Sequence, residues 1–338
     1  MRLALIAPPV TTVAPAALGG LAMVSGLAEG LAARGHHVTL IGSGLNGLVP
    51  AGYAVADTGL DGCVPAEYAD DAHAELAGPV LDQLSVDLVS DHSRAGYLPG
   101  SAGSKLACKT LYGVHSGWSQ PGYVGLIPVS HHQYHQLGAN VSAPHAWLRV
   151  IHPAIPLADY PLSERHDGPL AYVGPLHPGD RAELAIQAAH EVGLPLVLAG
   201  SRATPEAHVH AEVRLRPMLT SQDVLLDPAC AADRRLLLSS ARCVITALSD
   251  TTTFPLDAIE AMAYGTPVVG LAGTAATEVV INGISGMIAQ RSTDLAQAIR
   301  VASKLDPAAV RASAERFDLP RMVTAYEALF DRLIGGRR

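Results

Sequence analysis

The chain has 338 residues, enough for two domains of ordinary size with substantial cores. Hydrophobic residues make up 49% of it but aromatics only 4%, so the cores are built from Ala, Val, Leu and Ile, a mixture suited to helices packed on parallel sheets. A net charge of −8 with no long basic run argues against non-specific nucleic-acid binding, and four scattered cysteines without a CxxC pair argue against a disulfide framework and fit a reducing cytoplasm.

In chain order, residues 3–28 carry no charge and imitate a signal peptide. Pro8, Pro9, Pro15, Gly19 and Gly20 interrupt that run, whereas a spanning helix needs about 20 mostly apolar residues. A strand over 3–7, a loop over 8–19, a helix over 20–33 and a strand over 38–42 are the better reading: the start of a βαβ unit. Residues 43–63 read as irregular, 66–84 as a helix, and 86–90, 105–111 and 125–129 as strands. The segment PAIPLADYPLSERHDGP is rich in proline and charge, lacks a hydrophobic period, and reads as a linker.

A second block follows, with strands over 170–173, 196–199, 243–247 and 267–271 and helices over 180–192, 232–240 and 256–264. Three further helices are expected over 295–305, 307–317 and 321–334. Strands alternating with helices in two blocks mean two doubly wound parallel sheets. The expected divisions are 1–155, 168–318 and a terminal helical segment, 319–338. Ligands are then expected at strand carboxyl ends, in a cleft between the domains.

The stretch TFPLDAIEAMAYGTPVVG (253–270) places Glu260 among Ala258, Ile259, Ala261, Met262 and Ala263, so its carboxylate needs a partner. Together with TEVVINGISGMI (277–288) and GGLAMVSGLAEGLAARGHHVTLIGSG (19–44), it resembles a GT-B fold glycosyltransferase of glycosyltransferase family 4. The likeness extends loosely over almost the whole chain. It implies an α/β, GT-B architecture of two Rossmann-like domains facing across a cleft, with an N-terminal acceptor side and a C-terminal nucleotide-sugar domain. It also implies retaining transfer from a nucleotide-diphosphate sugar without metal or other cofactor.

The resemblance further implies roles for particular residues. Glu260 would accept hydrogen bonds from the donor ribose, a task suited to an acceptor-only carboxylate. The first turn of its helix, at Leu256, would turn free N–H groups toward the diphosphate. Thr252 stands where the family usually has a sugar-contacting Glu. Pro175 and Asp180 occupy the positions of two cations that neutralise the diphosphate, so Arg181, or less directly His177 or Arg202, would supply that charge. Gly19 and Gly20 would let the backbone approach the donor, or serve only as a helix-entry turn. His115 would lie near the transferred sugar, with Tyr112 as a competing alignment. His92 and Arg94 are acceptor-side candidates. The terminal helix, with Val323, Tyr326, Leu329, Phe330 and Leu333 on one face, would pack back across the N-terminal domain or dock on its own.

His131, His132 and His135 in SHHQYH invite a metal reading, but no HExxH glutamate follows, and no metal site is expected. The absence of long amphipathic basic helices points away from a membrane lipid and toward a small polar acceptor. Arginines far outnumber lysines and alanine is abundant, as in GC-rich genomes, which is compatible with secondary metabolism. The expected partners are thus a nucleotide sugar and a small molecule, in the cytoplasm. Two alternatives stand beside this reading. One is a non-catalytic nucleotide- or sugar-binding relative that has lost its donor-phosphate residues. The other is a sugar-nucleotide epimerase, for which residues 251–253 offer no acid or base.

Overall fold

In a computed structural model, the described residues are 1–9, 18–44, 52–60, 66–93, 106–111, 124–138, 146–200, 202, 204–226 and 231–336. They divide into two compact units, Met1–Pro153 with Leu319–Arg338, and Ala154–Asp318.

The first unit is built on strands β1 (Arg2–Ile6), β2 (His37–Gly42), β3 (Ala54–Asp57), β4 (Leu88–Asp91), β5 (Ala107–Leu111), β6 (Gly125–Pro128) and β7 (Ala146–Trp147). They form one parallel sheet in the order β3-β2-β1-β4-β5-β6-β7. Four of the five residues of RLALI are buried, as a central strand covered on both faces requires. Helices α1 (Leu18–Ala33), α2 (Ala66–Gln83) and α3 (His131–Gly138) connect these strands.

The terminal helix α11 (Leu319–Gly335) belongs to this first unit and packs on α1. Its inward stripe is Met322, Val323, Tyr326, Leu329 and Phe330, with Leu333 only partly buried. Gly26 and Gly30 of α1 permit the approach. A Cβ on Gly30 would lie 2.5 Å from Val323 Cγ2, and one on Gly26 2.7 Å from Leu319 Cδ2. Polar ties hold the register: Arg34 and His36 reach Glu327 at 2.6 and 2.8 Å, and Thr110 Oγ1 lies 3.0 Å from the Tyr326 hydroxyl.

The second unit contains strands β8 (Leu170–Val173), β9 (Leu196–Ala199), β10 (Val224–Leu226), β11 (Val244–Ile245), β12 (Val268–Leu271) and β13 (Gly286–Ala289). They form a parallel sheet in the order β10-β9-β8-β11-β12-β13. Alternation along the strands divides the core. Leu170, Tyr172, Leu196, Leu198 and Ile245 point to the layer of α4 (Glu183–Val192) and α9 (Leu295–Ala302). Ala171, Val173 and Val244 point to the layer of α6 (Ala231–Ser240), α7 (Leu256–Ala263) and α10 (Pro307–Ala314). Two short helices, α5 (Pro205–His210) and α8 (Ala276–Val279), complete the second unit.

The Tyr-Gly-Thr-Pro junction is a helix stop built from backbone geometry. Gly265 takes φ +85°, its N–H bonds Met262 O at 2.9 Å, and Thr266 N–H reaches back to Ala261 O at 2.9 Å. This is the paired-bond cap that a left-handed glycine makes possible, and Pro267 behind it cannot continue the helix. The chain therefore turns directly from α7 into β12.

Four strands and three helices, α3 among them, depart from the sequence reading. β3 pairs with β2 inside the stretch read as irregular, and β7, β10, β13, α5 and α8 were not expected. The helix expected over 180–192 is a 3-10 turn, Pro178–Asp180, followed by α4.

Candidate active site

In the second unit, strand order reverses between β8 and β11, the place where an open α/β sheet leaves a crevice at its carboxyl edge. A cavity of about 230 Å³ opens there. Its walls come from the end of β8 (Tyr172, Val173, Gly174), the residues after β11 and the entrance to α7.

Hydroxyl groups cross-link these walls. Thr246 Oγ1 donates to Val173 O at 3.2 Å, tying β11 to β8. Ser249 Oγ lies 2.5 Å from Thr251 Oγ1, which donates to Asp180 Oδ1 at 3.2 Å. Burial raises the Asp180 carboxyl above the usual range, and the Thr251 hydrogen bond offsets part of that. Among the described residues, only two non-glycines have positive φ: Ala247 at 49°, which lines this cavity, and Arg181 at 60°, next in the chain to the lining residue Asp180. Left-handed backbone at a residue with a side chain is costly and clusters at functional sites.

Of the residues singled out in the sequence, Thr252 lines the cavity, as do Pro175 and Asp180. Arg181 is exposed beside it, with Nη1 3.4 Å from the carbonyl of Leu248, itself a wall residue. His177 and Arg202 are committed elsewhere, to Glu206 and Glu212, each at 3.0 Å. Leu256 opens α7, but its N–H is bonded to Phe254 O and that of Ala258 to Pro255 O, both at 3.1 Å. The first turn thus offers fewer free amides than the sequence reading assumed.

Glu260 is only 6% exposed, and its partners are inside the chain. Arg234 on α6 pairs through Nη1 with Glu260 Oε2 and donates through Nη2 to Asp257 Oδ1. The Tyr160 hydroxyl donates to Glu260 Oε1 at 3.2 Å. Burial raises the Glu260 carboxyl above its usual range, with Arg234 the strongest opposing influence. Burial also works against charge on Arg234, but Asp257 and Glu260 outweigh it and hold the guanidinium more firmly protonated than usual. Sequence reasoning missed Arg234. Asp257 and Glu260 share one helical face at i, i+3, which was the available hint that one cation serves both.

In the first unit, Gly19 and Gly20 lie inside the first turn of α1 rather than at the end of a loop, because the helix begins at Leu18. His92 is fully buried, its ring 5.6 Å from that of Tyr326 and its Nε2 3.0 Å from Ser90 Oγ. The ring has no exposed edge. His115, Tyr112 and Arg94 lie outside the described residues. His131 sits on α3, its ring 6.1 Å from that of His152.

Comparison with known proteins matches this architecture. The family model for Glycosyl transferases group 1 matches residues 169–304. AviGT4, a glycosyltransferase involved in avilamycin A biosynthesis, is 25% identical, with a TM-score of 0.71 over 99% of this chain and 98% of that one. The Anabaena protein Alr3699/HepE, solved in complex with UDP and glucose, is 16% identical, with a TM-score of 0.68 over 97% of this chain and 99% of that one. Sucrose-phosphate synthase from Thermosynechococcus elongatus is 18% identical, with a TM-score of 0.68 over 100% and 98%. No curated protein matches the sequence. Fold and family match together define the class: the chain is a glycosyltransferase of GT-B architecture. More particularly, its second unit carries the group 1 glycosyltransferase domain. No described helix is long and apolar enough to cross a membrane.

Proposed function

We propose that the chain transfers a sugar from a nucleotide-diphosphate donor to a small polar acceptor, with retention of configuration and without a metal ion or other cofactor. The observation that carries this reading is the cavity at the β8/β11 switch point, with the α7 entrance in its wall and the Asp257/Glu260 carboxylates beside it. The Glu260 carboxylate takes the ribose hydroxyls, and Arg181 at the rim supplies positive charge to the diphosphate. In the transfer, the bond from the anomeric carbon to the phosphate oxygen breaks as the acceptor oxygen bonds that carbon from the same face. The departing phosphate oxygen takes the acceptor proton. The protein then contributes positioning and stabilisation of developing charge.

Likeness to AviGT4 supports a secondary-metabolite acceptor, and the UDP and glucose bound by HepE support a nucleotide-sugar donor. Buried, unpaired Cys108 and Cys243, their thiols pushed up to about 12 by burial, fit a reducing cytoplasm.

The test is calorimetric titration with UDP, GDP, ADP and TDP in metal-free buffer. Saturable binding of one of them is expected, weakened about tenfold in Arg181→Ala, as for loss of one charge-assisted contact. No binding by the unaltered chain would remove the donor-site reading.

A further inference from the structure

Residues 153–169 read as a linker in the sequence, yet the structure fastens their first half to the helices of the second unit. Around the 3-10 turn Leu157–Asp159, the Leu157 N–H donates to Asp318 Oδ1 at 3.1 Å and the Ser163 N–H to Tyr264 O at 2.9 Å. Arg311 of α10 donates to the carbonyls of Leu157, Tyr160 and Ala263, so one guanidinium ties this segment to the last turn of α7. The Tyr160 ring lies 5.3 Å from that of Tyr264, and its hydroxyl donates to Glu260 Oε1 at 3.2 Å.

The two oxygens of Glu260 are thereby made unlike. Oε1 has the tyrosine donor, whereas Oε2 pairs in charge with Arg234 but, among the described residues, accepts no hydrogen bond. A buried carboxylate oxygen without a donor is costly, and a ligand hydroxyl would supply the missing bond. The torsion that turns a carboxylate about its own axis is broad, so a donor on one oxygen fixes where the lone pairs of the other point. Burial and the nearby Glu260 charge both raise the pKa of the Tyr160 phenol, which keeps its proton and stays a donor.

We infer that Tyr160 is a positioning residue of the donor site: by holding Oε1 it turns Oε2 toward the ribose hydroxyls of the donor. This rests on the reading of Glu260 as the ribose acceptor, and adds to it a residue from the segment before β8.

The experiment compares affinity for whichever of UDP, GDP and ADP binds the unaltered chain best with affinity for its 2′-deoxy counterpart. The unaltered chain is expected to favour the ribose form about tenfold. Tyr160→Phe keeps the ring beside Tyr264 and removes the hydroxyl. It is expected to weaken binding of the ribose form about fivefold and to leave the deoxy form within about twofold. Glu260→Ala should abolish the preference, and adding Tyr160→Phe to it should change nothing further. Unfolding curves establish that each variant is folded, and the comparison of the two nucleotides in Tyr160→Phe stands without the Glu260 variant. An equal loss on both nucleotides would mark a merely structural tyrosine, and an unchanged preference an idle one. Either overturns the proposal while leaving the donor reading in place. An unaltered chain that binds neither nucleotide, or both alike, removes the Glu260 reading, and this proposal with it.

Discussion

Each unit holds a cation–carboxylate group near the carboxyl end of its sheet, and the two are treated in opposite ways. In the first unit, Lys109 and Asp91 pair at 3.2 Å with side chains only 1% exposed. Among their further contacts, Lys109 Nζ donates to Ser93 O and lies 3.2 Å from Ser93 Oγ, and Asp91 Oδ1 accepts from Ser93 N and Oγ at 2.8 and 2.7 Å. In the second unit, the side chains of Arg234 and Asp257 are 24% and 28% exposed, beside a cavity. A sealed pair acts on folding, because its charges are held away from solvent. A pair at a cavity wall stays available to a ligand. The same residue chemistry therefore predicts different losses in the two places.

The largest stability effect is expected in the sealed pair. Lys109→Met removes the cation 3.2 Å from a buried carboxylate and should cost about 3–5 kcal/mol in urea unfolding. Replacing Asp91 as well, in Asp91→Asn/Lys109→Met, should recover most of that, because the buried carboxylate charge is removed together with the cation. If Lys109→Met were no more destabilising than Arg234→Gln, the contrast between sealed and wall-side pairs would fail.

His92 sharpens the contrast through pH. Burial lowers its pKa to about 3; the Lys109 charge also lowers it, while Asp91 pulls the other way. A histidine whose folded pKa lies below its unfolded value of about 6.5 stays neutral in the native state while the unfolded chain takes up a proton. Its contribution is fully present above pH 6.5 and is lost as pH falls from there toward 3. At pH 5 the loss is about 2 kcal/mol. The check compares unfolding free energies at pH 7.5 and 5 for the unaltered chain and for His92→Gln, which removes the titrating group. Equal acid sensitivity in both would show that other groups account for it.

How much of this was legible depended on whether a residue's role was local. In the second unit, β8, β9 and β12 could be read because they are short apolar runs flanked by helix-period segments. β3 could not: AVAD lies at the sheet edge, with no fully buried residue to mark it. At the site, attention to Thr252, which lines the cavity, came from the family resemblance, and the need of Glu260 for a partner from its apolar neighbours. Arg234 was not, because DRR in a helix reads as a solvated face. Which of Arg234 and Arg235 turns inward depends on how α6 packs against α7. The burial of His92 was equally hidden, since Tyr326, which covers its ring, lies far along the chain.

The docking of α11 on α1 gives the smallest and most local test of how much of the first unit depends on close packing. Gly→Ala inside a helix gains about 1 kcal/mol of intrinsic propensity, so a net loss has to come from contact. At Gly30 the new methyl would meet Val323 Cγ2 at 2.5 Å and Cγ1 at 3.1 Å. Valine has little rotamer freedom in a helix, so α11 itself must shift. Overpacking of that kind costs about 1–3 kcal/mol, leaving Gly30→Ala a net loss of about 1 kcal/mol. At Gly26 the obstacle is Leu319 Cδ2 at 2.7 Å, the far end of a flexible side chain on the first residue of α11. That chain can turn aside, so Gly26→Ala should stay within about 0.5 kcal/mol of the unaltered protein. Thermal unfolding of the two variants side by side separates the cases. Equal losses at the two sites would mean that helix separation, rather than the stiffness of the facing side chain, sets the cost.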